Sequence, residues 1–204
     1  MYWRGLVGTV SGGEKNLSIA VRLSYLSSMS NYNWADTFRE VYDSGYEVYM
    51  RGEKYPDEMF TEEQLEFLRS IGATGQEIFD FVEDNILSGG EPSFETVLLI
   101  TAARRDYFLS QQRGQWTDEK IRVADLPAKT AELDGIVWLP RIIAKARAKL
   151  RGQMPEELMY GCGGDRPFCK RHNIHLADLL RVVWMAGEND DLIVQYIKSQ
   201  SSEF

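Results

Sequence analysis

Thr61-Glu62-Glu63-Gln64-Leu65-Glu66-Phe67-Leu68-Arg69-Ser70-Ile71-Gly72-Ala73-Thr74-Gly75-Gln76-Glu77 holds two helix starts and one helix stop in seventeen residues. Thr61 with Gln64 three positions on spells a capping box, in which each side chain satisfies the other's free backbone N–H. Leu65, Leu68 and Ile71 then recur at helical spacing, and Gly72 suits the left-handed residue that ends a helix. Thr74 with Glu77 repeats the box. It opens a second helix through Phe79, Val82 and Ile86 toward Gly89-Gly90.

The same punctuation extends in both directions. Upstream, Trp34, Phe38, Val41, Tyr42, Tyr46 and Tyr49 form an apolar stripe from about Trp34 to Arg51, with Asn33 before it and Gly52 after it. Downstream, Pro92-Ser93 starts a helix from Phe94 to about Gln112. Residues 115–134 lose the pattern; Ile121-Arg122-Val123 reads as a short extended piece and Pro127 forbids a long helix. Pro140 suits a helix's first turn, where its missing N–H costs nothing, and that helix runs to Leu150 before Gly152. Three more follow: a short one capped by Asp165, one from His175 to Met185, and a last one capped by Asn189 or Asp190. No strand alternation of useful length occurs. The expectation is an all-α protein of about eight helices, in two small modules packed together after an unstructured leader. The modules are an acidic four-helix module over 33–114 and a second over 135–204, joined by a linker over 115–134. The leader, 1–32, is rich in Gly and Ser, and an overcalled start would put the true first residue at Met29.

The chain has 204 residues and a net charge of −8, which argues against nucleic-acid and anionic-membrane partners. That charge is uneven, +2 over 1–33, −10 over 34–114 and zero over 115–204, so the two modules offer complementary faces. Two cysteines make no disulfide framework and fit a reducing cytosol.

Leu139-Pro140-Arg141, Lys145-Ala146-Arg147-Ala148-Lys149-Leu150 and Tyr160-Gly161-Cys162 followed by Asp165-Arg166 resemble a bacterial family of domains of unknown function, over about residues 120–200. The helical stretch 34–114 is similar to an N-terminal extension carried by some members. The resemblance implies a mainly helical bacterial protein and supplies no activity.

Candidate chemistry gathers in four places. Helix 140–151 has five basic residues and no acid before Gln153. Arg141, Lys145 and Lys149 share one face, Arg147 and Arg151 form a second row, and Ile143, Ala146 and Leu150 face inward. Arg141 opposes the helix dipole by about 0.3–1 kcal/mol, which an anion there would offset. The row is a solvated face, a face paired with the acidic module, or a seat for a phosphate or carboxylate. Gly161-Cys162-Gly163-Gly164-Asp165-Arg166 is a glycine turn before a helix; without a following Lys-Ser/Thr it is no nucleotide loop, and Asp165 as N-cap would use the donors an anion needs. Cys162, Cys169, His172 and His175 are chemically able to hold zinc, but their spacing is poor. Cys162 is either a nucleophile beside a helix N-terminus or a small packed side chain. Glu77, Asp80, Glu83 and Asp84 line one helix, and Arg104 and Arg105 are candidates to pair with them.

No catalytic triad, nucleotide loop, metal motif or cofactor motif is completed, and no catalytic residue is assigned. Two function classes remain open. One is a non-catalytic module binding a protein or small anionic ligand; the other is a small enzyme with a pocket between the modules. The residues expected to hold a ligand are Arg141, Lys145, Cys162, Asp165, Arg166, Asp80, Glu83 and Arg105.

Overall fold

The computed structural model describes residues 32–201. The expectations for the leader and for a start at Met29 lie outside them. Nine helices are present among the described residues: α1 Trp34–Met50, α2 Pro56–Met59, α3 Glu62–Ser70, α4 Gly75–Leu87, α5 Phe94–Ser110, α6 Leu139–Arg151, α7 Asp165–Arg171, α8 Leu176–Ala186 and α9 Asp190–Gln200. Eight of them have seven residues or more, and α2 is a single turn, so the protein is all-α in class. None is long and apolar enough to cross a membrane.

Residues 32–37 carry the start of α1, where the Asn33 carbonyl accepts from the Asp36 and Thr37 amides at 3.1 and 3.2 Å. Residues 38–201 belong to one compact unit. Within it α1 buries Phe38, Val41, Tyr42 and Tyr49, while Tyr46 turns outward. The Thr61 box forms in full, with Gln64 N donating to Thr61 Oγ1 at 3.3 Å and Thr61 N to Gln64 Oε1 at 2.9 Å. At Thr74 only half forms: Glu77 N donates to Thr74 Oγ1 at 3.2 Å, and the Glu77 side chain is used elsewhere.

Helix α5 is central. It buries Phe94, Val97, Ile100, Thr101, Ala103, Arg104 and Phe108 over about half of its circumference, and Glu95, Leu99, Asp106 and Leu109 face outward. It packs on α8 and α6, and α8 in turn packs on α6 and α9. Leu139, Ile142, Ala146, Ala177, Leu179, Leu180 and Ile197 are fully enclosed there. The last helix of the acidic stretch and the helices after residue 135 therefore share one core.

Residues 115–134 are strapped to the body. Trp116 Nε1 donates to the Arg69 carbonyl at 3.0 Å, and Ile121 N to the Gln153 carbonyl at 3.0 Å. Two local expectations are corrected. The short piece expected to be extended over Ile121–Val123 ends early: Arg122 is extended, at φ −89° and ψ 133°, and Val123 opens a 3-10 turn, Val123–Asp125. A two-residue hairpin, β1 Glu132–Leu133 against β2 Ile136–Val137, supplies strand where none was expected. Its turn is Asp134-Gly135, with φ of 51° and 76°, the double positive φ that this dipeptide favours and that matches strand twist.

Candidate functional site

Helix α6 begins at Pro140's turn and ends at Gly152, whose φ of 71° is the left-handed conformation that closes a helix. It lies against both α5 and α8, so little of its surface reaches solvent. Lys145 and Lys149 are consequently buried, at 1% and 4% exposure. The row expected along one basic face points into the protein at these two positions. Each lysine has an acid.

Lys145 pairs with Asp165, which is 0% exposed. Asp165 Oδ2 also accepts from the Gly161 amide at 2.9 Å, and Oδ1 from Trp138 Nε1 at 3.0 Å. Lys145 Nζ is 3.2 Å from Cys162 Sγ. A buried carboxylate is tolerable only when paired and hydrogen-bonded, and this one meets three donors. Asp165 is thus not the N-cap of α7, a correction. Gly164 holds the cap position with no side-chain bond, because the carboxylate faces α6. Gly164 must lack a Cβ, which would sit 2.5 Å from Trp138 Cζ2.

The other expected site residues disperse. Arg141 Nη1 donates to the Pro127 carbonyl at 2.8 Å, with its guanidinium 5.9 Å from the Trp138 ring centroid. Arg166 Nη1 donates to Asp84 Oδ2 at 2.6 Å and to the Gly161 carbonyl at 2.9 Å. Glu83 Oε1 accepts from the Tyr49 hydroxyl at 3.1 Å. Arg105 is half-buried on α5, where burial lowers its pKa. Lys145, Cys162 and Asp165 are brought together; Arg141, Glu83 and Arg105 do not join them. The second basic row also pairs internally: Arg147 Nη2 meets Asp190 at 2.6 Å, and Arg151 meets Glu188.

The thiol and imidazole set does not converge. Cys169 is buried, which pushes its thiol well up. His172 Nδ1 lies 2.9 Å from Ser201 Oγ, and His175 Nδ1 accepts from the Ala177 amide at 3.1 Å as the N-cap of α8. Among the described residues no three His, Cys, Asp or Glu side chains group as a metal set.

The acids of α4 meet cations of the second half. Glu77 pairs with Lys149 and Asp84 with Arg166. Glu77 therefore leaves its half of the capping box to meet a lysine that would otherwise be a buried unpaired charge. Arg104, expected to pair with these acids, pairs with none of them, a further correction.

Arg104 belongs instead to a cavity of about 150 Å³ that the sequence did not announce. Its walls are the α3–α4 turn, α4, Arg104 of α5, Trp116 and Lys120 of the strap, Lys149, and the loop from Gly152 to Tyr160. Arg104 is 1% exposed. Nη1 donates to the Gln112 side chain at 2.6 Å and to the Leu150 carbonyl at 2.9 Å. Nη2 is buried and has no hydrogen-bond acceptor among the described residues. Nη2 would lie 2.8 Å from a Cβ on Gly152, so the helix-ending glycine also makes room for it. Burial lowers the Arg104 pKa to about 10. Lys120, donating to the Gly152 carbonyl at 3.0 Å, is lowered first by burial and then by the Arg104 charge.

Lys149, Glu77 and Asp80 also line the cavity. Burial lowers the Lys149 ammonium to about 7. Asp80 is raised to about 6, chiefly by burial and further by the Glu83 and Asp84 charges, against the hydrogen bond from Gln76 at 2.7 Å. Tyr160, buried, donates to the Leu176 carbonyl at 2.8 Å and gives a fixed wall. One hint of this site was legible: a cation, Arg104, one turn after the apolar run Val97–Ile100 and on the buried side of the same helix.

No curated protein and no solved structure matches the chain. Residues 125–203 match a family model described as Domain of unknown function (DUF5069), so a DUF5069 domain is found there, contributing α6 with its buried Lys145 and Lys149 and the wall from Gly152 to Tyr160.

Proposed function

We propose that this protein binds a small carboxylate-bearing ligand in the cavity beside Arg104. The observation that carries the reading is Arg104, which lines the cavity and whose Nη2 is a buried donor without an acceptor among the described residues. Leaving a charged donor unmet costs about 1–3 kcal/mol or more, so an anion seated there recovers stability that the empty protein lacks. Lys120 adds a second cation nearby, and each of the two charges disfavours the other until an anion lies between them. A planar guanidinium with a free donor edge suits a carboxylate. Trp116, Met154, Leu158 and Met159 supply an apolar remainder.

Of the residues expected to hold a ligand, Asp80 lines this cavity. Arg141 and Arg166 direct donors to internal acceptors and Lys145 faces Asp165, so we move the ligand from the basic helix face to the cavity. The free thiols Cys162 and Cys169 support a reducing cytosol as its place of work.

A thermal-shift panel of small monocarboxylates against inorganic phosphate tests this. A carboxylate at one hundred times its Kd adds about 2.7 kcal/mol of stability. The shift is expected to vanish in Arg104→Gln. A flat response from the wild-type chain to every carboxylate defeats the reading.

A further inference from the structure

Two chemically different sets of side chains line the cavity. Arg104 and Lys120 are held beside Gly152, and Lys149 pairs with Glu77, with Asp80 one turn along the same helix as Glu77. A ligand held only by its carboxylate would need the first set alone. We propose that Lys149 captures the carbonyl carbon of a small 2-oxo acid as an imine, while Arg104 holds that acid's carboxylate. The inference rests on the carboxylate-binding reading and adds a covalent step to it.

Size sets the substrate class. A cavity of about 150 Å³ is the volume that accepts a benzene-sized molecule. A three- or four-carbon 2-oxo acid has about that bulk, and it carries its carboxylate one bond from its ketone.

The lysine has the surroundings the step requires. Its side chain is 5% exposed and lines the cavity. Burial favours the neutral amine and brings the lysine down to about 7, as in desolvated nucleophilic lysines, while the Glu77 carboxylate against Nζ favours the charged form. Glu77 touches Nζ and is the group placed to take its proton. Glu77 Oε1 is buried and meets no hydrogen-bond donor in good geometry apart from this ion pair. Asp80, one turn along α4 from Glu77, keeps a proton to about pH 6 and can give it up.

The step balances without a redox partner. The Nζ lone pair attacks the ketone carbon and the C–N bond forms. Glu77 takes one proton from Nζ and passes it to the carbonyl oxygen, giving a neutral carbinolamine. The C–O bond then breaks, the oxygen leaves as water with a proton from Asp80, and the nitrogen pair closes the C=N bond. Amine, ketone and the Asp80 proton become a protonated imine, water and the Asp80 carboxylate.

Reductive trapping tests it. The full chain is incubated with pyruvate and cyanoborohydride, and the product is read by intact mass and peptide mapping. A single reduced adduct on the peptide bearing Lys149 is the expected result, at least tenfold less with acetone, which has the ketone but no carboxylate. Lys149→Arg keeps the charge beside Glu77 and is expected to lose the adduct. Should that variant fail to fold, protection of the wild-type site by lactate, which has the carboxylate but no ketone, gives the same answer. An adduct on Lys120, or spread over surface lysines, overturns the assignment. No adduct in a protein that lactate and pyruvate both stabilise overturns the imine and leaves carboxylate binding standing. No adduct and no stabilisation by either overturns both.

Discussion

Asp165 accepts from Trp138 and Gly161 and pairs with Lys145, all out of water. Removing only its charge leaves the Lys145 ammonium buried beside a neutral amide. Breaking one partner of a buried pair costs about 3–5 kcal/mol, more than the intact pair contributes over an apolar substitute. Asp165→Asn is therefore expected to lose about that much in urea denaturation. Asp165→Asn with Lys145→Met is expected to recover part of it, and a double loss larger than the single one would refute the pairing argument. Asp80 gives a pH signature. Its carboxyl rises from 3.8 to about 6, mainly through burial, so the folded protein holds the proton more tightly than the unfolded chain. Stability from this group is full below about pH 4 and declines as pH climbs to about 6. Asp80→Asn is expected to remove that decline and to exceed the wild type at pH 7 by about 1–2 kcal/mol, allowing for partial exposure. Chemical denaturation across pH 4 to 7 measures both. Neither residue was readable in these roles. Lys145 and Lys149 have the spacing of a surface row, and only the packing of α6 under two helices turns them inward.

The helices themselves were legible because their ends are written in short-range chemistry. Thr61 with Gln64, Ser93 before Phe94, and Gly152 after Arg151 each act within four residues, so no tertiary information is needed. Thr61→Ala removes the Oγ1 acceptor of a fully formed box and is expected to cost about 1 kcal/mol by denaturant titration. A change within experimental error would show that α3 is held by packing alone. Where local and distant demands compete, the local motif misleads. Thr74-Gly75-Gln76-Glu77 has the letters of a box, yet Glu77 serves Lys149, some seventy positions on in the chain. Asp165 has the letters of an N-cap, yet serves Lys145. The hairpin escaped for a different reason: four paired residues are too few to show alternation, and its only mark is Asp134-Gly135.

At the scale of the molecule, the charge asymmetry of the sequence becomes a set of ties across one core. Lys149 meets Glu77 and Arg166 meets Asp84, while α5, α6 and α8 pack on one another. The matched domain, 125–203, thus lacks a wall of its own core when taken alone. Removing α5 uncovers the apolar surface that α6 and α8 turn toward it, and apolar area contributes about 25 cal/mol per Å². Removing α4 as well leaves Lys149 without Glu77. A piece of about eighty residues has little surplus against such losses, since small domains bury a smaller share of their surface. The fragment 125–204 is therefore expected to melt without a cooperative transition under conditions where the full chain unfolds in one. Fragment 38–114 supplied in trans is expected to restore the transition, because it returns α5 and the acids of α4. Circular dichroism melts of the fragment, the mixture and the full chain make the comparison. A sharp, concentration-independent transition in 125–204 alone would show that the domain closes its core without α5, and would place the cavity at a junction between autonomous parts.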